Sequence, residues 1–469
     1  MPMAVMDSVF MNIESREHPT HFAKLQLFQP PEGSGPEYVS EFYRSLLTHT
    51  AVDPLMRRRP VRSMSSLGQW SWTEDDEVDL EYHVRLSALP HPGRVRELLE
   101  LVSRLHGTLL DRQRPLWECH VIAGLADGRF GVFTKLHHAL MDGVAGMQRL
   151  TAGLTLNADG TAQPPWAPHG PAAAKAAEEE PEGLVSSVIN STWGRLRDTT
   201  QMAGNLVSAQ PALFKALTST IRDETAALPF QAPKSMLNVK IGGARRVAAQ
   251  TWPLDRVRAV AKAAKGGAQS GATVNDVAVA MCSGALRRYL LDAGELPDRS
   301  LVALLPVSMR GTSLAGNLSR SDENAVGGIL CELATDEADP AVRLAKIHKS
   351  TKNAKTILAG MNSTEMGLMT LATAGGVLFS AVPGLPPAFN VIISNVPGSR
   401  EPLYFNGAQL TEGYPMSVIA DGQALNMTLI SYAGQLSFGL VACRRSVPHM
   451  QRMLDHLDTE LTALEEAFG

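Results

Sequence analysis

Residues 137–143 read His-His-Ala-Leu-Met-Asp-Gly (HHALMDG) and lie where a strand pattern gives way to a helix pattern. Upstream, residues 117–125 and 129–136 have the composition of two strands, and Asp127-Gly128 between them suits a tight hairpin turn. Downstream, apolar residues recur at helical spacing over residues 144–154. The sequence therefore predicts an α/β segment in which a buried strand passes through a short turn into an amphipathic helix.

The turn holds a candidate base. A neutral imidazole has an unperturbed pKa of about 6.5, so a histidine here can take a proton from an alcohol, an amine or a thiol. Asp142 is expected to hold the turn by accepting backbone N–H bonds or by pairing with an arginine, for which Arg310 is a candidate. The same residues could instead only end a strand and cap a helix. The His-x-x-x-Asp spacing can also bind a metal, but no third ligand cluster with zinc-like spacing accompanies it, so no metal is predicted.

A second candidate segment begins at Thr273. Thr273 can cap a helix with Asp276 at its third position, in a capping-box-like start, and the helix would carry an apolar side. Asn275 then lies in the first turn, where its amide and the positive end of the helix dipole could face a developing oxyanion. A simple helix cap explains the same pattern, and both interpretations stay open on the residues alone.

HHALMDG resembles the HHxxxDG signature of acyltransferases of the chloramphenicol acetyltransferase type and of peptide-synthetase condensation domains. Further segments resemble the bacterial wax ester synthase/acyl-CoA:diacylglycerol acyltransferases, and together they span nearly the full chain. These segments are residues 6–28, 115–118 (Pro-Leu-Trp-Glu), 273–277 (Thr-Val-Asn-Asp-Val), 394–398 (Ser-Asn-Val-Pro-Gly) and 402–407. The Tyr-x-Asp-Tyr-Ala segment of condensation domains is absent, which makes those domains the weaker relative.

The resemblance implies two chloramphenicol acetyltransferase-like subdomains with mixed sheets and flanking helices, and an active site in a tunnel at their interface. It implies an O-acyltransferase that moves a long-chain acyl group from acyl-CoA to a fatty alcohol, giving a wax ester, or to diacylglycerol, giving a triacylglycerol. In that reaction His138 is the general base, His137 supports it, and Asp142 and Gly143 maintain the turn. Asn275 is the oxyanion candidate. Acyl-CoA is a substrate, and no cofactor is expected.

The distribution of residue types along the chain predicts three parts. Residues 1–156 form an N-terminal acyltransferase subdomain, and residues 157–233 form an exposed linker followed by crossover helices. Residues 234–469 form a C-terminal subdomain. The linker prediction rests on the Ala-, Pro- and Gly-rich residues 157–183, which include three consecutive glutamates and cannot form a packed core.

The amino-acid composition indicates which classes of partner and which cellular location are expected. The net charge of -4 argues against a nucleic-acid partner, and the four widely spaced cysteines are expected to be reduced core residues. The N-terminus lacks the apolar run of a secretory signal, which favours the cytoplasm. Residues 366–382 are apolar but rich in Gly and Thr, so a buried or peripheral segment is favoured over a membrane span. Because the products are hydrophobic, peripheral attachment to the inner face of the membrane or to lipid inclusions is expected. The sequence does not indicate an oligomeric state.

Two alternatives to the acyltransferase remain at this stage. One is a condensation-domain-like acyl or peptidyl transferase. The other is a non-catalytic protein of the same fold that binds lipid inclusions.

Overall fold

The structure is a computed structural model of the 469-residue chain. It describes residues 1–62, 68–168, 230–264, 271–308, 326–360 and 386–468. The helices are α1 Val5–Ile13, α2 Tyr38–Leu47, α3 Leu80–His83, α4 Val95–Gly107, α5 Gly143–Ala152, α6 Leu254–Ala264, α7 Val274–Ala293, α8 Pro340–Gly360 and α9 Arg452–Phe468. The strands are β1 His21–Gln29, β2 Arg58–Arg62, β3 Trp70–Glu74, β4 Val84–Ala88, β5 Trp117–Ala123, β6 Phe130–His137, β7 Arg245–Pro253, β8 Val302–Ser308, β9 Val326–Glu332, β10 Val391–Pro397, β11 Tyr404–Phe405, β12 Ala408–Met416, β13 Leu425–Tyr432 and β14 Gln435–Cys443.

The first sheet has the strand order β11-β12-β1-β6-β5-β4. Its pairs are antiparallel except for β4 with β5. The predicted hairpin is confirmed as β5 and β6, with Gly128 at a φ of 82° in the turn. Strands β11 and β12 come from late in the chain, and β12 pairs with β1. The first sheet is therefore completed by residues that follow the second sheet's early strands.

Helix α5 lies close against one face of the first sheet. Gly146 permits this approach, because a Cβ at this position would lie 2.0 Å from Cζ of Phe22 on β1. Any side chain at Gly146 would therefore push α5 away from the strand. This packing positions the segment that begins at residue 143, and it confirms the helix predicted after HHALMDG.

The second sheet has the order β7-β14-β13-β10-β8-β9 and mixes parallel and antiparallel pairs. β10 runs parallel to both β13 and β8. The predicted β13–β14 hairpin is confirmed, with Ala433 and Gly434 at φ values of 42° and 78° in its turn. The fold is thus the mixed α/β arrangement that the resemblance implied.

Helix α7 packs against α6, α8 and α9. Every residue from Asp276 to Leu286 is buried, so this part of the helix has no exposed polar side. The apolar side expected of this helix is confirmed, and neighbouring helices cover its other faces as well.

Further sequence-based expectations concern the cysteines, the helices and the possible metal ligands of the described residues. All four cysteines are buried and unbonded, as predicted. Within the described ranges, no helix combines the length and the apolarity needed to cross a bilayer, and no group of His, Cys, Asp and Glu has the geometry of a metal site. Arg310, residues 366–382 and most of the predicted linker, residues 169–229, lie outside the described residues.

Candidate active site

The HHALMDG segment starts on the last residue of β6. His137 lies opposite His21 on β1, and the His138 backbone N–H donates to the Thr20 carbonyl oxygen at 3.0 Å. The Leu140 N–H closes the turn on the His137 carbonyl at 3.0 Å. The turn is therefore held by the sheet on one side and by its own backbone on the other.

Asp142 is the N-cap of α5. Its Oδ1 accepts hydrogen bonds from the backbone N–H groups of Val144 at 2.7 Å and Ala145 at 2.8 Å. This confirms the prediction that Asp142 fixes the turn through backbone donors. Among the described residues no arginine pairs with it, and the proposed partner Arg310 is not one of them.

Gly143 is the first residue of α5. A Cβ there would lie 3.7 Å from Cε1 of His138, which is ordinary van der Waals contact. Glycine is therefore not required by the backbone, but it leaves one flank of the imidazole of His138 uncovered.

His137 is fully buried, and its tautomer is fixed by its neighbours. Its Nδ1 accepts the Ala139 backbone N–H at 3.0 Å. The ring proton must then be on Nε2, which lies 2.9 Å from Thr20 Oγ1 and 3.2 Å from Glu14 Oε1. His137 thus acts as a donor that ties the turn to Glu14.

Glu14 connects this histidine to a distant arginine. Arg112 donates to Glu14 Oε2 through Nε at 3.0 Å and Nη2 at 2.9 Å, and it also donates to the Met11 carbonyl at 3.0 Å. Burial alone would raise the pKa of the Glu14 carboxyl, but the hydrogen bonds from His137 and Arg112 and the charge of Arg112 outweigh it and lower that pKa. Glu14 is therefore a buried carboxylate.

The Glu14–Arg112 pair was not predicted as part of the site. Glu14 belongs to the segment that carries the resemblance, but Arg112 stands 98 residues away and carries no local signal. The pair holds α1 against the turn, and α1 carries Phe10.

Phe10 and Phe22 enclose the ring of His138. The Phe10 ring stacks on the imidazole at a centroid distance of 4.9 Å, and the Phe22 ring meets it edge-on at 5.0 Å. The Nε2 atom is buried and has no hydrogen-bond partner within the described residues. Burial lowers the pKa of His138 to about 3. The imidazole is therefore neutral at physiological pH, with a ring nitrogen available to a ligand.

Asn275 lies in the first turn of α7, as predicted, and the capping box of Thr273 and Asp276 is confirmed. Asn275 Oδ1 accepts from Asn395 Nδ2 at 3.1 Å. This bond leaves the Nδ2 donors of Asn275 unused by Asn395. Within the described ranges, no hydrogen bond joins Asn275 to HHALMDG.

Asn395 brings the 273–277 and 394–398 segments together. It lies near the end of β10, and Gly398 follows in the turn. A Cβ at Gly398 would lie 2.2 Å from the Ser431 carbonyl oxygen, so the turn requires glycine for its close approach to β13. Residues 395 and 397–400 line a groove of about 560 Å³, which also borders Val274 and Arg258. We call it the 395–400 groove.

Trp117 has the packing role that the sequence suggested for residues 115–117. It is fully buried, its Nε1 donates to the Met56 carbonyl at 2.8 Å, and its ring stacks on those of Trp166 and His83. The segment therefore anchors β5 rather than lining the groove.

The catalytic-domain model of the wax ester synthase/diacylglycerol acyltransferase family matches residues 3–278, and the family's C-terminal model matches residues 323–465. The chain belongs to this family. It is accordingly an acyltransferase, and the first of the two matched regions contains the HHALMDG turn.

Relatives of this acyltransferase are similar over their whole length. A putative diacylglycerol O-acyltransferase of Mycobacterium tuberculosis is 48% identical over 474 residues and 100% of each chain. The O-acyltransferase WSD of Acinetobacter baylyi is 37% identical over 99% of this chain and 97% of its own.

Superposition on solved structures supports the same family assignment. The wax ester synthase/diacylglycerol acyltransferase from Marinobacter aquaeolei superposes over 100% of both chains with a TM-score of 0.77 and 39% identity. The first condensation domain of the CDA synthetase covers 99% of this chain and 95% of its own with a TM-score of 0.55 and 13% identity, which shows a shared fold alone. The acyltransferase thus has the chloramphenicol acetyltransferase-like architecture that its histidine motif implied.

Proposed function

We propose that this acyltransferase moves a long-chain fatty acyl group from acyl-CoA directly to the hydroxyl of diacylglycerol or of a fatty alcohol. His138 is the general base of the reaction. The observation that carries the proposal is the neutral imidazole of His138, whose buried Nε2 has no partner among the described residues while every surrounding group is fixed. A base with an unused nitrogen in a fixed ring is suited to receive the proton of a bound hydroxyl.

The transfer proceeds through a tetrahedral intermediate. The hydroxyl oxygen attacks the thioester carbonyl carbon as His138 takes the hydroxyl proton. The carbon–sulfur bond then breaks, and the proton passes from His138 to the departing CoA sulfur, which leaves an ester and free CoA. The imidazole of His138 is the base in the first step and the acid in the second, so this reaction needs no cofactor to move the proton.

Asn275 is the proposed oxyanion donor. Its Oδ1 is engaged by Asn395 at 3.1 Å, so its Nδ2 is oriented and free to donate. It also lies in the first turn of α7, where the helix dipole favours negative charge. In other enzymes the loss of one oxyanion donor costs about 3 to 4 kcal/mol of transition-state stabilisation.

His137, Glu14 and Arg112 position the base without touching the reacting atoms. Their hydrogen bonds hold the turn against α1, and α1 places Phe10 on the imidazole of His138. The same apolar rings keep water away from the base, which limits hydrolysis of the thioester.

The test measures CoA release and lipid products from palmitoyl-CoA with hexadecanol or with a diacylglycerol. Wild-type protein should form an ester, and His138→Ala should lose ester formation while it stays folded by circular dichroism. His49→Ala is the matched control, because the His49 side chain forms its hydrogen bond with the Ser45 carbonyl oxygen at 3.0 Å, outside the HHALMDG turn. Unchanged turnover in His138→Ala would remove His138 from the mechanism, and no product from either alcohol would favour a lipid-binding role.

The place of action follows from the products. Wax esters and triacylglycerols are insoluble in water, so we place the protein in the cytoplasm with peripheral attachment to the membrane or to lipid inclusions. Flotation with liposomes tests this attachment. Complete absence of the protein from the lipid fraction would contradict it.

A further inference from the structure

Lys24 is a buried lysine that the mechanism above does not use. Only 2% of the residue is exposed, and within the described ranges no hydrogen bond or ion pair reaches its Nζ. Lys135, on the neighbouring strand β6, shows the contrast, since its Nζ donates to two carbonyl oxygens at 3.1 and 2.8 Å and pairs with Glu118 at 3.2 Å. The amine of a buried residue that has no acceptor in the protein and opens into a cavity is suited to a ligand that supplies an acceptor.

The side chain of Lys24 lines a small cavity between the two sheets, which we call the Lys24 pocket. The pocket has a volume of about 40 Å³ and is bounded by Met147, Gln148 and Thr151 of α5 and by residues 396–399. Gly413 on β12 leaves space for the lysine stem, because a Cβ there would lie 3.1 Å from Lys24 Cε. The pocket shares residues 397–399 with the 395–400 groove and is therefore a side pocket of it.

The pocket lies one strand step from Phe22, whose ring contacts that of His138. Alternate residues of a strand face the same side, so Phe22 and Lys24 both face α5, and their Cα atoms are separated by about 6.6 Å. Phe22 contacts His138 edge-on. A substrate whose hydroxyl is at His138 would therefore have its next few atoms near the Lys24 pocket.

Gln26 is the next residue after Lys24 on the same face of β1, and its side chain also lines a cavity. Its Nε2 is buried with no partner among the described residues, and it lines a second cavity, of about 20 Å³, under the following turn of α5 at Leu150 and Leu154. Two unpaired donors thus follow one another along β1, both under α5.

The surroundings select the chemistry of the ligand. Among the described residues that line the pocket, Lys24 is the one charged side chain, beside apolar Met147 and Val396 and the polar side chains of α5, and one charge does not fit a diphosphate, which needs several charges or amides. The cavity of about 40 Å³ is small, so it suits a small oxygen-bearing group of a larger ligand. Burial lowers the pKa of Lys24 to about 7, and both its protonated and its neutral forms donate a hydrogen bond to a carbonyl oxygen.

We infer that Lys24 and Gln26 bind the ester carbonyl oxygens of a diacylglycerol acceptor, which makes them specificity-determining residues for glycerolipid over fatty alcohol. The inference rests on the proposed function. A fatty alcohol has a hydroxyl and a hydrocarbon chain, so when it is bound the two donors remain unpaired. A site with hydrogen-bonding groups for one substrate discriminates against an analogue that lacks them.

The test compares kcat/KM for a diacylglycerol and for hexadecanol, each with palmitoyl-CoA, in wild type, Lys24→Met, Gln26→Leu and Lys135→Met. Wild type should prefer diacylglycerol. Lys24→Met keeps the apolar stem and should lower kcat/KM for diacylglycerol by roughly 10- to 100-fold, the range expected for a hydrogen bond to a charged group. Its value for hexadecanol should stay within about twofold or rise. Gln26→Leu should act in the same direction by roughly 3- to 10-fold, as for a neutral hydrogen bond.

Thermal unfolding separates recognition from structure. Lys24→Met should have a melting temperature equal to or above that of wild type, because it removes an unpaired buried polar group. Lys135→Met should melt lower and lose activity with both acceptors, because it leaves Glu118 and two carbonyl groups without their donor. Lys24→Gln, which keeps a donor, should retain part of the preference and serves as the second variant.

The outcomes distinguish the inference from the proposed function. Equal losses with both acceptors in Lys24→Met, or an unchanged ratio, would overturn the inference and leave acyl transfer intact. A wild-type enzyme that esterifies hexadecanol and not diacylglycerol would do the same. No ester from either alcohol would overturn both.

Discussion

Glu14→Gln tests whether the buried pair of Glu14 and Arg112 positions the base. All groups that face the Glu14 carboxylate are donors, namely the Arg112 guanidinium, the Nε2–H of His137 and the hydroxyl and N–H of Thr20. A glutamine has one acceptor and one donor at its end, so one of these donors would face an NH2 group. The substitution therefore changes the charge and the hydrogen bonding but hardly changes the volume.

The expected loss of unfolding free energy follows from how deeply the Glu14 and Arg112 side chains are buried. Breaking a buried pair by changing one partner costs about 3 to 5 kcal/mol. The Glu14 side chain is fully buried, whereas 35% of the Arg112 side chain is exposed and screened by solvent. We therefore expect the free energy of unfolding to fall by about 2 to 3 kcal/mol at pH 7. Because α1 carries Phe10 onto His138, kcat should fall by roughly tenfold or more, as for a small misplacement of a catalytic group.

The pH dependence gives an independent check. The folded-state pKa of Glu14 is lowered, so its contribution to stability is complete above the unfolded pKa of about 4.3 and is lost as the pH falls through the lower folded pKa. The difference in unfolding free energy between wild type and Glu14→Gln should accordingly be constant from pH 6 to 8 and shrink below about pH 4.

The assay is urea unfolding followed by circular dichroism, with initial rates of CoA release on the folded proteins. Glu17→Gln is the matched control, because Glu17 is an exposed glutamate three residues along the same segment and its loss should change stability by less than about 0.5 kcal/mol. A Glu14→Gln protein as stable and as active as Glu17→Gln would refute the positioning role.

Three further predictions address the turn and the oxyanion candidate. Because the pKa of His138 is lowered to about 3, its imidazole is neutral at every pH above that value, so kcat/KM should show no acid limb between pH 5 and 8; an inflection near the ordinary histidine value of about 6.5 would contradict the burial of the ring. Asn395→Ala removes the hydrogen bond that orients Asn275, so kcat should fall by roughly 2- to 10-fold with little change in KM, and steady-state kinetics in which only KM moves would exclude this orienting role. Asp142→Ala should lower the free energy of unfolding by about 1 kcal/mol, and Asp142→Asn, which can still cap, by less than half of that. Urea unfolding of the two variants measures this, and equal losses would show that charge rather than capping is what Asp142 supplies.

Local features of this chain could be predicted because short-range geometry decides them. The Asp127-Gly128 hairpin, the capping box at Thr273 and the cap at Asp142 each involve residues within a few positions of one another. Such turns and caps depend on the conformations that Gly, Asp and Thr favour, whatever packs on them later. The HHALMDG turn was therefore found at its place, between β6 and α5.

Contacts between distant segments could not be predicted in the same way. Arg112 and Glu14 meet across 98 residues, and Asn275 meets Asn395 across 120. Each of these residues has an ordinary local explanation, as a surface charge or as part of a cap or a turn. Only the packing of α1 against the turn at residues 139–140 and of α7 on β10 brings them together.

Strand β1 illustrates which structural properties the sequence determines and which only the tertiary structure decides. The alternation in His21–Gln29 assigns Ala23, Leu25 and Leu27 to a core face and would assign Lys24 and Gln26 to solvent. The sequence thus determines the strand, its alternation and the chemistry of each side chain. The tertiary structure decides that α5 and the turn after β10 cover the second face, because burial depends on which elements pack there. That covering buries Lys24 and Gln26 on the same face of β1 as Phe22, whose ring contacts His138.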